Sequence, residues 1–337
     1  IIRFGRDRTE KGRDVLVEAV SDANEAAMAQ PAAAALLEGC LPVRTDACQL
    51  TDDLSTKLIG IIGNTSAPTE NRYAALRIMA TQPVKAGVPA LIKVVTGNPD
   101  IQPIALTELA AEALGKLKAP DAVDGLIGCL WLNDHMGRNA VKACRIALNK
   151  IGKDASIAKI ITTLERKNAR VEKRATDNHY DFGGVIEFKS AEMLGDMPAT
   201  AAVDPLIKAF STWEEMPKAV IGHPTREPHF QKTRIQRLIS LATSLAIIGD
   251  ERAIEPLLAM ATSKRSVEVM NASIHQIAFL GNPKAIPGMM KILEEKTDIN
   301  EFATQAFHYQ VSLAIARILD PSDARTLRAF EARFKKT

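Results

Sequence analysis

Apolar residues along this chain recur at the three- and four-residue spacing of amphipathic helices, not in the alternation of strands. Ile157, Ile160, Ile161 and Leu164 fall at i, i+3, i+4 and i+7, and Leu238, Leu241, Ala242, Leu245 and Ile248 make the same stripe later. Ala105 to Asn133 reads as a complete two-helix unit. It opens as ALTELAAEALGKL, expected to stop near Gly115, and continues as APDAVDGLIGCLWLN, a second helix entered through Pro120 and Asp121. The pattern returns from Lys189, from Leu241 and from Ile274, with degenerate copies around Gly152 and Asp320. Self-similarity of this kind is the mark of a solenoid, in which each unit buries its apolar face only against its neighbours. The expected fold is therefore all-α, a right-handed superhelix of about seven or eight helix pairs.

Taking Gly115, Gly152, Gly195, Gly249, Gly281 and Asp320 as the ends of first helices gives successive spacings of 37, 43, 54, 32 and 39 residues. The long intervals mark insertions near Arg174 and Glu215, and insertions in a solenoid collect on one edge, often where binding occurs. The run A-x-x-L-G, a short turn and then A-[V/I]-x-[P/G]-L-[I/L] is carried by Ala111, Leu114, Gly115, Ala122, Val123, Gly125, Leu126 and Ile127. It recurs at Ala191, Leu194, Gly195, Ala202, Val203, Pro205, Leu206 and Ile207. This run resembles the short HEAT-like repeat of the phycobilisome-lyase type, and the resemblance extends from about Asn71 to Ala329. It implies the fold and leaves the activity open, because proteins with such repeats include bilin lyases, a metal-dependent hydroxylase, DNA glycosylases and adaptors. The hydroxylase branch uses His-Glu pairs at the start of its first helices. The matching positions here are Ala111-Glu112 and Ala191-Glu192.

Before the repeats, Ile1 to Lys11 is charged and aperiodic, as an exposed arm would be, and Val15 to Glu38 is helical in spacing with a break expected at Pro31. Residues 1–66 are read as arm and capping helices, and 67–337 as one continuous repeat solenoid. The chain starts at Ile1 without methionine. An upstream segment, cleaved or lipidated, would account for that start and would allow membrane association. No run of eighteen apolar residues is present to span a bilayer.

The 337 residues are 46% hydrophobic but only 4% aromatic, which suits close helix packing through alanine. The net charge of +3 is too small to imply a nucleic-acid partner. The basic stretch LERKNARVEKRA and the carboxyl-terminal Arg333, Lys335 and Lys336 are the places where such a partner would bind, and interspersed Glu165 and Glu172 suit a solvated face.

Cys40 and Cys48 flank a loop centred on Arg44, and Cys129 and Cys144 flank the turn at Met136 and Gly137. Either pair could come within the distance of about 4.4–6.8 Å between α-carbons that a disulfide needs. Buried reduced thiols are the alternative. Two local pairs favour an oxidising compartment, a bacterial periplasm or another extracytoplasmic space, with the cytoplasm as the alternative.

No zinc-type cysteine spacing, phosphate loop or nucleophile elbow is present, and no cofactor or catalytic residue is assigned. Chemistry-bearing side chains gather instead in the connections between repeats: His135, then His179, Tyr180 and Phe182, then Trp213, His223, Arg226, His229 and Phe230. Asp177, His179 and Asp181 with His223 and His229 could hold a divalent metal, or could be exposed loop residues pinned by the aromatics. The expected function is a non-catalytic scaffold that binds another protein, in a larger envelope-associated assembly, with the inter-repeat edge as its contact surface. A lyase or hydrolase using those loops and a nucleic-acid binder are the alternatives.

Overall fold

The computed structural model describes residues 8–40, 46–97, 102–129, 140–177, 184–213, 215–216, 218–263, 265–294 and 301–319, apart from the side chains at 40, 46, 174–177 and 301–303. Seventeen α-helices and no strand occur among them. Contacts divide the chain into two units, Ile1–Lys159 and Ile160–Thr337.

In the first unit the α-helices are α1 Glu10–Ser21, α2 Ala26–Ala35, α3 Asp52–Gly63, α4 Thr69–Thr81, α5 Val88–Val95, α6 Ile104–Leu117, α7 Val123–Ile127 and α8 Ala140–Ile151. They form two rows. The even helices α2, α4, α6 and α8 pack in succession, and so do the odd helices α1, α3, α5 and α7, while α1–α2, α3–α4, α5–α6 and α7–α8 tie the rows together. Each helix thus buries one face on the other row and its flanks on its own neighbours, which is how a repeat without a closed core of its own is stabilised. Helix α9, Lys153–Leu164, contains the boundary between the units.

The second unit continues with α10 Ala169–Asp177, α11 Val185–Asp196, α12 Val203–Ser211, α13 Arg226–Ile248, α14 Ile254–Ala261, α15 Val267–Leu280, α16 Ile286–Glu294 and α17 Glu301–Ile318. Helices α11, α13, α15 and α17 pack in one row, and α12, α14 and α16 bridge to it as α12–α13, α14–α15 and α16–α17.

In four repeats the step from first to second helix is the same device. A single 3-10 turn, at Pro120–Ala122, Thr200–Ala202, Glu251–Ala253 or Pro283–Ala285, runs directly into the second helix. Its third residue, Ala122, Ala202, Ala253 or Ala285, is fully buried, so a larger side chain would hold the two helices apart. Asp250 and Asn282 cap two of these turns, accepting from the backbone amides of Arg252 and Lys284 at 3.0 Å each. The other two turns have Ala119 and Ala199 at this position and no side-chain cap.

Several boundaries differ from expectation. The amino-terminal helical stretch breaks at Asp22, whose carboxylate accepts from the Asn24 amide, and not at Pro31, which lies inside α2. Glu10 and Lys11 already belong to α1, with Thr9 as its cap. Gly115 and Gly195 do not end their helices: α6 runs on to Leu117 and α11 to Asp196. They are packing positions. A β-carbon at Gly115 would lie 2.8 Å from the Ala147 α-carbon on α8, and one at Gly195 would lie 2.9 Å from Ser244 Oγ on α13. In these two copies the repeat glycine lets the next helix of the row approach. At Gly249 and Gly281, by contrast, φ is +79° and +65° and the glycine is a true left-handed cap.

Candidate partner-binding surfaces

In the second unit, the connection from α12 to α13 and the start of α13 carry the described residues of the expected edge. Trp213 is half-buried, with the Arg234 guanidinium 4.0 Å and the Arg265 guanidinium 5.2 Å from its ring. Arg234 is 7% exposed and also stands 5.6 Å from the Phe230 ring. Arg237, one turn further along α13, donates to the Thr212 carbonyl at 2.5 Å. Together these contacts fix the start of the connection on α13. A desolvated guanidinium over an indole is worth about 2 kcal/mol.

Only part of the predicted set faces solvent. Phe230 is 2% exposed, so it anchors α13 and does not meet a partner. Arg226 and His229 are exposed but lie in the first turns of α13, not in a loop. The two prolines around them read as loop in the sequence. Pro228 nevertheless fits the first turn, where backbone amides have no intrahelical acceptor. His223 is engaged at the start of the same helix, its Nδ1 accepting from the amides of Thr225 and Arg226 at 3.4 and 3.3 Å. Ile221, not singled out from sequence, is 62% exposed beside it, and an isolated isoleucine between Val220 and Gly222 gave no signal. His135, His179, Tyr180 and Phe182 lie outside the described residues.

Two of the basic residues before α11 are paired with carboxylates. Arg166 holds Glu172 with two hydrogen bonds, at 2.6 and 2.8 Å, and reaches Glu187 at 3.3 Å, and Lys167 meets Glu165 at 2.9 Å. Among the described residues there is no group of three His, Cys, Asp or Glu side chains that could hold a metal ion. No helix among them is long and apolar enough to cross a membrane.

A second surface, in the first unit, was not anticipated. The outward faces of α6 and α8, with Tyr73 of α4, line an open groove of about 430 Å³. Leu109 and Ile146 lie along it, with Glu108 and Glu112 on the α6 side and Lys142 and Lys150 on the α8 side. Glu112 is paired with Lys116 of its own helix at 2.8 Å. From sequence each set is the polar face of one helix, and only the packing of α6 on α8 brings them together.

On the buried side of α8, Cys129 and Cys144 form a disulfide with 6.6 Å between α-carbons, joining the end of α7 to α8. Both are fully buried. Cys48, also fully buried, is disulfide-bonded as well, whereas the side chain of Cys40, its expected partner, is outside the described set.

Residues 238–263, the second half of α13 with its 3-10 turn and α14, match the family model described as PBS lyase HEAT-like repeat. The chain contains a HEAT-like repeat. No curated protein sequence matches it. Among solved structures, it is similar to a chain of the CpcE–CpcF complex of phycocyanin lyase from a Nostoc species, at 18% identity and a TM-score of 0.30, covering 82% of this chain and 97% of that one. It is also similar to human deoxyhypusine hydroxylase, at 12% identity and a TM-score of 0.27, covering 79% and 96%. At these scores neither likeness bears on activity.

Proposed function

We propose that this HEAT-like repeat protein is a non-catalytic scaffold that binds another protein within a larger envelope-associated assembly, in a periplasm or other extracytoplasmic space. The observation that carries the reading is the α12–α13 connection. A long insertion in a repeat array is held in place by the Trp213–Arg234 stack, and holding it so leaves Ile221 and Arg226 facing solvent. A loop of no use to binding needs no such anchoring. Arginine is also among the residues that most often dominate interface energies, and Ile221 adds exposed apolar area near it. The pairing of Arg166 with Glu172 and Glu187 favours a protein over a phosphate backbone, since it draws that positive charge into internal bonds. The buried disulfides support an oxidising compartment.

The test is capture of binding proteins from native extract by wild-type chain and by the pair Ile221→Ser with Arg226→Ala. Both positions are exposed, so melting should not move, while recovery of the bound protein should fall about tenfold, which corresponds to about 1.4 kcal/mol. Unchanged recovery would remove this connection from the contact surface.

A further inference from the structure

The groove on the first unit points to a specific kind of partner. Helix α8 buries Ala140, Val141, Cys144, Ala147 and Leu148, so its opposite face should be polar. Lys142 and Lys150 obey that rule, but Ile146, midway between them, is 45% exposed. It shares the groove lining with Leu109 of α6 and Tyr73 of α4. This is an apolar strip laid along the seam of two helices and open to solvent along its outer side.

The charges beside the strip are not balanced. On the α6 wall, Glu112 is already engaged by Lys116, and Glu108 also has an interaction. On the α8 wall, Lys142 and Lys150 make no ion pair among the described residues. The α8 wall therefore presents positive charge at two points. Eight residues at 1.5 Å rise place the lysines about 12 Å apart along the helix. Carboxylates at i and i+7 or i+8 of a helix laid in the groove have the same separation, two turns apart on one flank.

We propose that this groove docks an amphipathic helix of another protein, one whose apolar stripe covers Leu109, Ile146 and Tyr73 and whose flank carries two acidic residues two turns apart for Lys142 and Lys150. The assignment rests on the protein-binding reading above and specifies its partner's chemistry. The mode is helix-in-groove recognition, in which apolar anchors give affinity and flanking charges fix register.

The test uses the full chain with its disulfides intact and a fluorescein-labelled helical peptide of about five turns, leucine on one stripe and glutamate two turns apart on one flank. A second peptide has lysine in place of each glutamate. The acidic-flank peptide should bind, and Lys142→Glu and Lys150→Glu should each weaken it about tenfold without changing the melting temperature. The lysine-flank peptide should bind weakly to the wild-type chain and gain affinity for the Lys142→Glu, Lys150→Glu double variant, a reversal that damage to the fold would not produce. Failure of the acidic-flank peptide to bind, equal binding of the two peptides, or undiminished binding to the double variant would overturn the proposal. So would full displacement by free glutarate at the peptide's concentration, which would make the groove a small-acid site. Capture from native extract is run in parallel. Proteins captured equally by wild-type and double variant would refute the groove and leave the scaffold reading standing, whereas no captured protein at all would refute the scaffold reading itself.

Discussion

Gly115 and Gly60 are both helical glycines, and replacing each with alanine should move stability in opposite directions. In either helix, alanine is favoured over glycine by about 0.5–1 kcal/mol through backbone entropy. At Gly60, on the exposed side of α3, a new β-carbon meets nothing within 4 Å, so that gain should appear in full. At Gly115 the β-carbon would lie 2.8 Å from the Ala147 α-carbon and 3.1 Å from its β-carbon. Backbone cannot swing aside as a flexible side chain does, so α6 and α8 must separate, and such overpacking costs about 1–3 kcal/mol. The net effect expected at Gly115 is a loss of up to about 2 kcal/mol, against a gain of about 0.5–1 kcal/mol at Gly60. Gly288 is an internal control. Its β-carbon would meet only the end of the Leu258 side chain, which can rotate, so it should fall between the two. Urea unfolding followed by far-ultraviolet circular dichroism gives the midpoints, compared at constant slope. A Gly115→Ala chain as stable as Gly60→Ala would refute the view that the repeat glycine sets the distance between successive helices.

Other outcomes follow from the same geometry. Denatured, unreduced protein should contain no free thiol, and four free thiols would return it to a reducing compartment. Reducing Cys129–Cys144, whose cysteines are 15 residues apart, should cost about 3 kcal/mol by chain entropy, read as a drop in the urea midpoint. Trp213→Ala should lower stability by about 1–2 kcal/mol, because the indole it removes is the platform for Arg234, and an unchanged melting temperature would show that the stack contributes nothing. Asp250 is held at a pKa of about 2 by its hydrogen bonds to the Arg252 side chain and backbone amide, below the ordinary 3.8. Because the folded value is the lower one, its contribution is complete above about pH 4 and is lost as pH falls through about 2. The advantage of wild type over Arg252→Ala should shrink across that window, and a pH-independent difference would contradict the pairing.

Much of the helical plan was legible in the sequence because period and turn chemistry are local. The stripe from Leu238 to Leu245 is buried as expected, and Pro120 and Asp121 open a turn into the second helix. What failed depended on residues far away in the chain. Gly115 looks like a helix stop until Ala147 is placed against it. Likewise, Ile146 is one apolar residue on a polar face until α6 supplies Leu109 beside it. Arg226 to Phe230 read as part of a connection where a 23-residue helix begins, because a proline in the first turn, Pro228, leaves no trace that separates it from a loop proline. The edge at Trp213 was found by composition, but its internal division was not. Phe230 points inward, whereas Ile221 and Arg226 face solvent, and nothing short of the packed α13 separates those roles.

The most direct measurement is affinity capture of the native protein from its own envelope and cytosolic fractions, with bound proteins identified by mass spectrometry. The account predicts a small, reproducible set of proteins from the envelope fraction, retained at moderate salt and reduced about tenfold by Ile221→Ser with Arg226→Ala. Recovery of nucleic acid that is released steeply by salt, or of no protein from either fraction, would contradict it.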